Sequence, residues 1–261
     1  MGGESFTWMT GLIAIGLFLG MLAAMEIGYR AGMRRLAKHP ETTRTGVGAI
    51  EGAVFGLLGL LLAFSFSGAA SRFDARRQLI IQETNAIGTA YLRLDLLSPI
   101  RRVALQELFR QYVDARLEVY QEVRNAQTVR QRQAKFQELQ KEIWLQAVAN
   151  SQEHNYPPTT LLLAPSLNEM FDITTTRTMA AQIHPPTIIH IMLGILMLIS
   201  ALLAGVSMAG GKTRSWIHIL GFSAILAITM FIILDLEYPR LGWIRVSDFD
   251  QALISLRQSM H

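Results

Sequence analysis

Apolar positions in this chain are gathered into four long runs, and one polar, helix-patterned block separates the second run from the third. The runs are Phe6–Tyr29, Val47–Ala70, Thr187–Ala209 and Trp216–Leu236. Each is about 20 residues or longer, which at ~1.5 Å rise per residue crosses the ~30 Å hydrocarbon core of a bilayer. The pattern predicts an all-α integral membrane protein with four transmembrane helices and a helical extramembrane domain inserted between helices 2 and 3. Residues 1–70 hold the first two spans, 71–186 the extramembrane domain, 187–236 the third and fourth spans, and 237–261 a C-terminal tail with a short amphipathic helix.

The inserted block reads as helix, without strand-like alternation of useful length. The second span's pattern runs on through Ser71–Leu97, where Phe73, Ile80, Ile87 and Leu94 repeat every seven residues. The neighbouring seam positions hold Arg76, Glu83 and Ala90, so the seam is half of a coiled-coil heptad. A helix packing on its own domain explains it, and so does a helix lining a symmetric assembly axis. Ser98-Pro99 sets an N-cap residue before a proline at the first helical position and restarts the helix. Leu105, Leu108, Phe109, Tyr112, Val119, Tyr120 and Val123 mark its apolar face, and Asn125–Thr128 is expected to turn or kink. A second stripe follows at Phe136, Leu139, Ile143 and Ala147. Asn150–Pro158 is rich in turn formers and is expected to be a loop. Ser166-Leu-Asn-Glu169 has capping-box spacing and is expected to open a further helix to about Ile183, ended by His184-Pro185-Pro186. Tyr238-Pro239 breaks the fourth span, and Phe249–Met260 forms the tail helix.

Composition adds direction rather than class. Hydrophobic residues make up 51% of the 261, a value that an ordinary soluble domain also shows, so it is their concentration into runs that signals a membrane. With no cysteine, disulfides, thiol nucleophiles and Cys-based zinc sites are excluded. The net charge of +4 in a membrane protein more often marks cytoplasmic span ends than a nucleic-acid surface. Met1–Trp8 carries Glu4 and no Lys or Arg, so the first span reads as an uncleaved anchor. Arg30, Arg34, Arg35, Lys38 and Arg44 follow it, and Lys212 and Arg214 lie between spans three and four. The positive-inside rule then makes both short loops cytoplasmic, with the N-terminus, helical domain and C-terminus periplasmic. Arg72, Arg76 and Arg77 after the second span, with Arg240 and Arg245 after the fourth, pull the other way.

Small residues recur every three or four positions on two spans: Gly16, Gly20, Ala24 and Gly28 on the first, and Gly52, Gly56, Gly59, Ala63 and Ser67 on the second. Such ridges let backbones approach closely in lipid, within a subunit or between subunits. A neighbouring face of the second span carries Glu51, Phe55, Leu58, Leu62, Phe66, Ala69 and Phe73. A glutamate at one end and bulky apolar groups along the path suit a pore with a hydrophobic constriction; lipid or helix contact suits the same residues. Arg72, Arg76 and Arg77, with Asp235 and Glu237, are candidates for a charged mouth. Interfacial arginines anchor a helix end against headgroups, whereas arginines repeated around an axis concentrate anions. Glu51 and Asp235 fall near interfaces, where water and snorkelling lower the cost of an ionised group. Glu26 can pair with Arg30 at i+4. Trp8, Trp216 and Trp243 belong to aromatic belts.

His190 and His218 stand in no HxxxH or HExxH array, so neither metal nor cofactor is expected. The chain has no phosphate-binding glycine loop, no GxSxG and no nucleophile–base constellation, which argues against an enzyme. The insert's Arg and Lys are balanced by nearby Asp and Glu, unlike a nucleic-acid stripe.

Gly56-Leu-Leu-Gly-Leu-Leu-Leu-Ala-Phe-Ser-Phe-Ser-Gly-Ala-Ala-Ser-Arg-Phe-Asp-Ala-Arg-Arg77, followed by Glu83-Thr-Asn-Ala-Ile-Gly-Thr-Ala-Tyr-Leu-Arg-Leu94, resembles the bacterial bestrophin-like domain membrane proteins. Asp172-Ile-Thr-Thr-Thr-Arg177, Leu234-Asp-Leu-Glu-Tyr-Pro-Arg-Leu-Gly242 and Phe249-Asp-Gln-Ala252 extend the likeness over nearly the whole chain. That group takes its label from distant likeness to bestrophins, pentameric anion channels with four spans per subunit, a pore-lining second span and a large helical region between spans two and three. The resemblance implies an oligomer, pentameric by analogy, whose second span forms an ion path with Phe55, Leu62 and Phe66 at a neck. No acidic calcium-clasp run is present to carry calcium gating. The bestrophin helical region is cytoplasmic, whereas the basic first loop here favours the exterior.

The functional expectation is an oligomeric ion channel of the bacterial inner membrane, lined by the second span and favouring anions over cations. Its partners are the lipid bilayer, inorganic ions and further copies of itself, with no nucleic acid. The alternative is a non-conducting membrane scaffold or sensor whose helical domain binds a partner. A secondary transporter ranks third, since the spans show no inverted repeat or broken helix pair.

Overall fold

The computed structural model describes residues 3–38, 47–121, 126–153, 157–209, 211, 215–244 and 246–260. Its helices are α1 (Gly3–Lys38), α2 (Val47–Arg93), α3 (Pro99–Gln121), α4 (Ala126–Glu153), α5 (Pro157–Ala180), α6 (Thr187–Met208), α7 (Trp216–Glu237) and α8 (Ser247–Ser259), with a 3-10 turn at Leu94–Leu96. Among the described residues there is no strand. α1, α2, α6 and α7 are long and apolar enough to cross a membrane, so the fold is that of an all-α membrane protein with a helical domain inserted between its second and third spans. The chain divides into two compact units, chiefly Glu4–Arg72 with His184–Trp243, and Phe73–Ile183 with Ile244–His261. The division falls inside α2, and it also splits the tail, assigning α8 to the helical unit.

In the membrane unit α1 and α6 meet along small residues. A methyl group on Gly28 would collide with the Leu202 carbonyl oxygen, and one on Gly205 with the Met25 carbonyl oxygen. The two backbones therefore touch with no side chain between them, which in lipid is a main source of helix association. Around this contact Met21 and Met25 of α1 and Leu193, Met197 and Ala201 of α6 are buried. Beyond the first apolar run, α1 continues to Lys38, and Arg30 Nε pairs with Glu26 Oε1 at 2.7 Å as its i+4 spacing predicts.

The helical unit has its own core. Ile87, Ala90 and Leu94 meet Leu105, Phe109, Tyr112 and Val113 of α3, Phe136, Leu139, Ile143 and Ala147 of α4, Leu163, Leu167 and Met170 of α5, and Leu253 of α8. Each large apolar side chain in that set stabilises the fold by about 1.5–3 kcal/mol through removal from water. The seven-residue seam of α2 is absorbed here, since Ile80, Glu83, Ile87, Ala90 and Leu94 are all buried. After the 3-10 turn, α3 starts at Pro99, and the N–H groups of Arg101 and Arg102 donate to the Ser98 carbonyl at 3.1 and 2.9 Å. The restart at Ser98-Pro99 is where the spacing puts it.

Local spacing misleads elsewhere. Ser166 opens no helix: it lies inside α5, buried, and its hydroxyl donates to the Leu163 carbonyl at 2.8 Å. A capping box needs a chain arriving in extended conformation. Here the helix is already under way from Pro157, so the hydroxyl bonds back to its own turn. Of the loop expected at Asn150–Pro158, the described residues are helical, because α4 continues to Glu153 and α5 begins at Pro157. Proline suits that first turn, where its missing N–H has no partner to lose. The turn expected at Asn125–Thr128 gives way to α4 from Ala126. Residues 122–125 and 154–156, Arg44, Lys212, Arg214 and Arg245, and the side chains of Val119, Tyr120 and Val123 lie outside the described residues.

Candidate functional site

α2 presents three faces along its membrane portion. On the first, Glu51, Leu58, Leu62 and Ala69 are buried by the rest of the unit, and Phe55 sets its ring edge-on to Phe222 of α7 with centroids 6.2 Å apart. On the second, Leu57, Leu60 and Phe64 are bulky and exposed. The third is small and open. An added Cβ at Gly52, Gly56 or Gly59 would meet nothing within 4 Å, and the exposed Ala63 and Ser67 continue the line. Residues three and four apart share a helix face, so these five form one strip about 22 Å long. Exposed Phe66 borders it.

The pore candidates therefore separate. Glu51, Leu58 and Leu62 are turned into the chain's own packing, and Phe55 leans on α7. Phe73 is half-buried, with the Arg77 guanidinium 5.7 Å from its ring centre. Of the six, Phe66 is the one classed as exposed. The packing candidates separate too. Gly20 meets Leu198 of α6, its added Cβ 3.1 Å from that side chain, whereas Gly16, Gly52, Gly56 and Gly59 meet nothing among the described residues.

The segment Leu234–Gly242 gathers charge at one end of the membrane unit. Glu237 is buried and accepts from Arg72 Nε, 3.0 Å to Oε1 and 3.2 Å to Oε2, with Arg72 Nη2 closing on Oε1. His184 Nδ1 lies 3.8 Å from Glu237 Oε2, and its ring stacks on Tyr238 at 4.4 Å. Asp235 is fully buried and both its oxygens accept from the Trp243 backbone N–H, at 3.0 and 3.1 Å. Gly242 passes so close that a side chain there would strike the carboxylate. Hydration therefore does not explain Asp235: the turn at 238–242 folds back over it and supplies a donor in place of water. Glu51 is likewise covered by protein rather than solvent.

The other mouth candidates are engaged as well. Arg76 is buried and donates to the carbonyls of Ala180 and Ile183, at 3.2 and 2.8 Å. The Ala180 carbonyl ends α5, where unpaired oxygens and the helix dipole favour a cation, and Ile183 lies three residues beyond it. Arg77 pairs with Asp74 at 3.1 Å.

The helical unit holds a charge cluster that sequence reasoning did not assemble. Glu83 is fully buried and shared between two arginines: Arg116 Nε lies 2.5 Å from Oε1, and Arg177 Nη1 donates to Oε2. Arg177 also reaches Asp250 Oδ1 at 3.0 Å, which draws in α8. The Thr174 hydroxyl is 3.2 Å from Glu83 Oε1 and 3.0 Å from the Tyr112 hydroxyl. Burial pushes the Glu83 carboxyl up, but the Arg116 and Arg177 guanidiniums outweigh it and hold the group below its ordinary range. Burial raises the Tyr112 hydroxyl, and the Glu83 charge adds to it, so Tyr112 stays a neutral phenol. The signal that could have found the cluster was charge inside apolar stripes: Glu83 sits between Ile80 and Ile87, and Arg116 one turn from Tyr112. With opposite charges matched and little of it open to solvent, the cluster acts as a clamp on α2, α3, α5 and α8. Among the described residues no group of three or more His, Cys, Asp or Glu could hold a metal ion.

A protein-family model described as a bestrophin-like domain matches residues 14–249. Neither a curated protein nor a solved structure matches the chain. The matched stretch takes in the open strip of α2, the Arg72–Glu237 pair and the Glu83 cluster as far as Arg177, and it stops one residue short of Asp250.

Proposed function

The chain belongs to the bestrophin-like domain family, and from that premise we propose that it is the subunit of an oligomeric ion channel. The observation that carries the reading is the open strip Gly52, Gly56, Gly59, Ala63 and Ser67 on α2. A face turned to lipid gains from bulky side chains, as the adjacent Leu57, Leu60 and Phe64 provide. A glycine face leaves backbone accessible, and the serine adds a hydroxyl; both suit another helix or a hydrated ion better than acyl chains. Copies set around an axis with this strip inward give a path lined by small residues and narrowed at Phe66. Leu58 and Leu62 then support α2 from behind rather than lining the path.

We keep anions over cations as the transported class on the family likeness. Local charge lends it little, since Arg72, Arg76 and Arg77 are each held by an acidic or carbonyl partner. We put the protein in a bacterial inner membrane on the family likeness; the basic end of α1, where Arg30, Arg34, Arg35 and Lys38 cluster, supports a periplasmic helical domain, against the pull of Arg72, Arg76 and Arg77.

The test is current across a planar bilayer containing the purified protein under an asymmetric KCl gradient. A reversal potential near the chloride or potassium equilibrium value identifies the ion's sign, and Phe66→Ala raises single-channel conductance. Silence from intact oligomers across voltage, pH and calcium overturns the channel and leaves a non-conducting scaffold. For sidedness, a reporter fused at Gln127 that reads cytoplasmic reverses the orientation.

A further inference from the structure

The helical unit leaves a large apolar surface uncovered where α2 gives way to α3. Leu92, Leu96, Ile100 and Val103 are exposed there, Ile100 by 86%. α5 adds exposed Leu161 and Leu162. It is tied to the same end by the Arg93 guanidinium, which donates to the Leu162 carbonyl at 2.6 Å, and by the 3-10 turn, which touches both α3 and α5. A single exposed leucine needs no explanation, but six gathered at one end do. Their exposed surface is on the order of 700 Å², above the ~300–600 Å² of the largest apolar patch on a typical monomer and near the ~800 Å² each partner gives to a stable interface.

The cations beside the patch are Arg93, Arg101 and Arg102, and Arg102 lies 3.5 Å from Asp95 within it.

We propose that this surface is a contact with a second copy of the chain. The inference rests on the oligomer reading above and gives it a location outside the membrane spans. Copies anchored in one bilayer are confined to a plane, so each meets its neighbour at high effective concentration. The chain also supplies the opposite charge. α5 carries exposed Glu169 and Asp172, with no Lys or Arg between Leu161 and Thr176. A patch meeting a different face of its neighbour is a heterologous contact, the kind that closes into a ring.

The chain has no cysteine, so Ile100→Cys reports on this spot alone, and the exposure of Ile100 makes the substitution harmless to folding. The full-length variant in detergent is weighed by native mass spectrometry and treated with a poly(ethylene glycol) maleimide, beside a Gln133→Cys control on α4. An oligomer in which the thiol of Ile100→Cys reacts about tenfold slower than that of the control, as a thiol in a packed interface core does, supports the contact. Dilution to monomers should restore the control rate, and Ile100→Asp with Val103→Asp should lower the oligomeric mass while leaving helicity unchanged. An oligomer of Ile100→Cys that reacts at the control rate overturns this interface and leaves the channel reading standing. A monomer overturns both. Protection that appears only after cell extract is added assigns the surface to a foreign partner and overturns the proposal.

Discussion

The Leu202 carbonyl oxygen of α6 occupies the place from which a side chain at Gly28 of α1 would have to grow. The obstacle is backbone, so a substituent cannot be met by swinging a side chain aside. Gly28→Ala should lower stability by about 1–3 kcal/mol, as overpacking of a close contact does, read as a fall in Tm of the detergent-solubilised protein. Gly56→Ala should leave the Tm of dissociated subunits unchanged, since no described residue comes within 4 Å of a Cβ at Gly56. Equal behaviour of the two variants would count against the α1–α6 contact.

Glu83 is the shared counter-ion of two buried arginines. Glu83→Gln removes the carboxylate that Arg116 and Arg177 share and leaves Arg177 with Asp250, and breaking a buried pair by removing one partner costs about 3–5 kcal/mol. Faster amide hydrogen exchange in α3 and α5 is the expected readout. Unchanged exchange would mean that the cluster carries no stability.

The same carboxylate sets an acid limit. Its folded-state value is held below the ordinary 4.5, so the unfolded chain binds the proton more readily than the native one. The stabilisation is therefore complete above about pH 4.5 and is lost as pH falls through the lowered value. Thermal unfolding of the helical unit measured from about pH 6 down to about pH 3 should show a declining Tm, and the part of that decline due to Glu83 should vanish in Glu83→Gln. A wild-type Tm flat across that window would exclude the linkage.

Leu253 fastens α8 more firmly than the Arg257–Asp114 pair does. Leu253 is fully buried, and Leu253→Ala should cost about 2–5 kcal/mol. Arg257 grips Asp114 with Nε at 2.8 Å from Oδ1 and Nη2 at 2.9 Å from Oδ2, but the pair is partly exposed, so Arg257→Ala should cost about 0.2–1 kcal/mol. Limited proteolysis of the tail ranks the two variants. A larger effect from Arg257→Ala would reverse the assignment.

How much of this was legible in the sequence depended on what a residue needs to know about its surroundings. A membrane span must satisfy its own backbone, so length and apolarity reveal it from any window of sequence. The extent of α2 was readable for a similar reason, because Phe73, Ile80, Ile87 and Leu94 keep one period along one helix. The glycine ridges were readable as ridges but not by what they touch: Gly28 lies on a backbone and Gly56 on open space, although their spacings look alike. Leu58 and Leu62 looked as available for a pore as Phe66 until α2's partners were placed. Ser166–Glu169 carries the same letters whether it caps a helix or sits within one, and only the state of the preceding chain decides. The Glu83 cluster joins residues from four helices distant in sequence, so no local window contains it.

The helical unit is closed by Leu253 and Asp250, although the rest of it ends at Ile183. A ribosome making this chain delivers α2 to α5 first and must then supply α6 and α7 before the closing helix emerges. During that interval Arg177 lacks its second carboxylate, and the space for Leu253 stands open. A premature stop codon or a proteolytic nick ahead of Asp250 would strand the nascent domain in that state. A chain cut ahead of Asp250 therefore lacks the two side chains, Asp250 and Leu253, by which α8 joins this core.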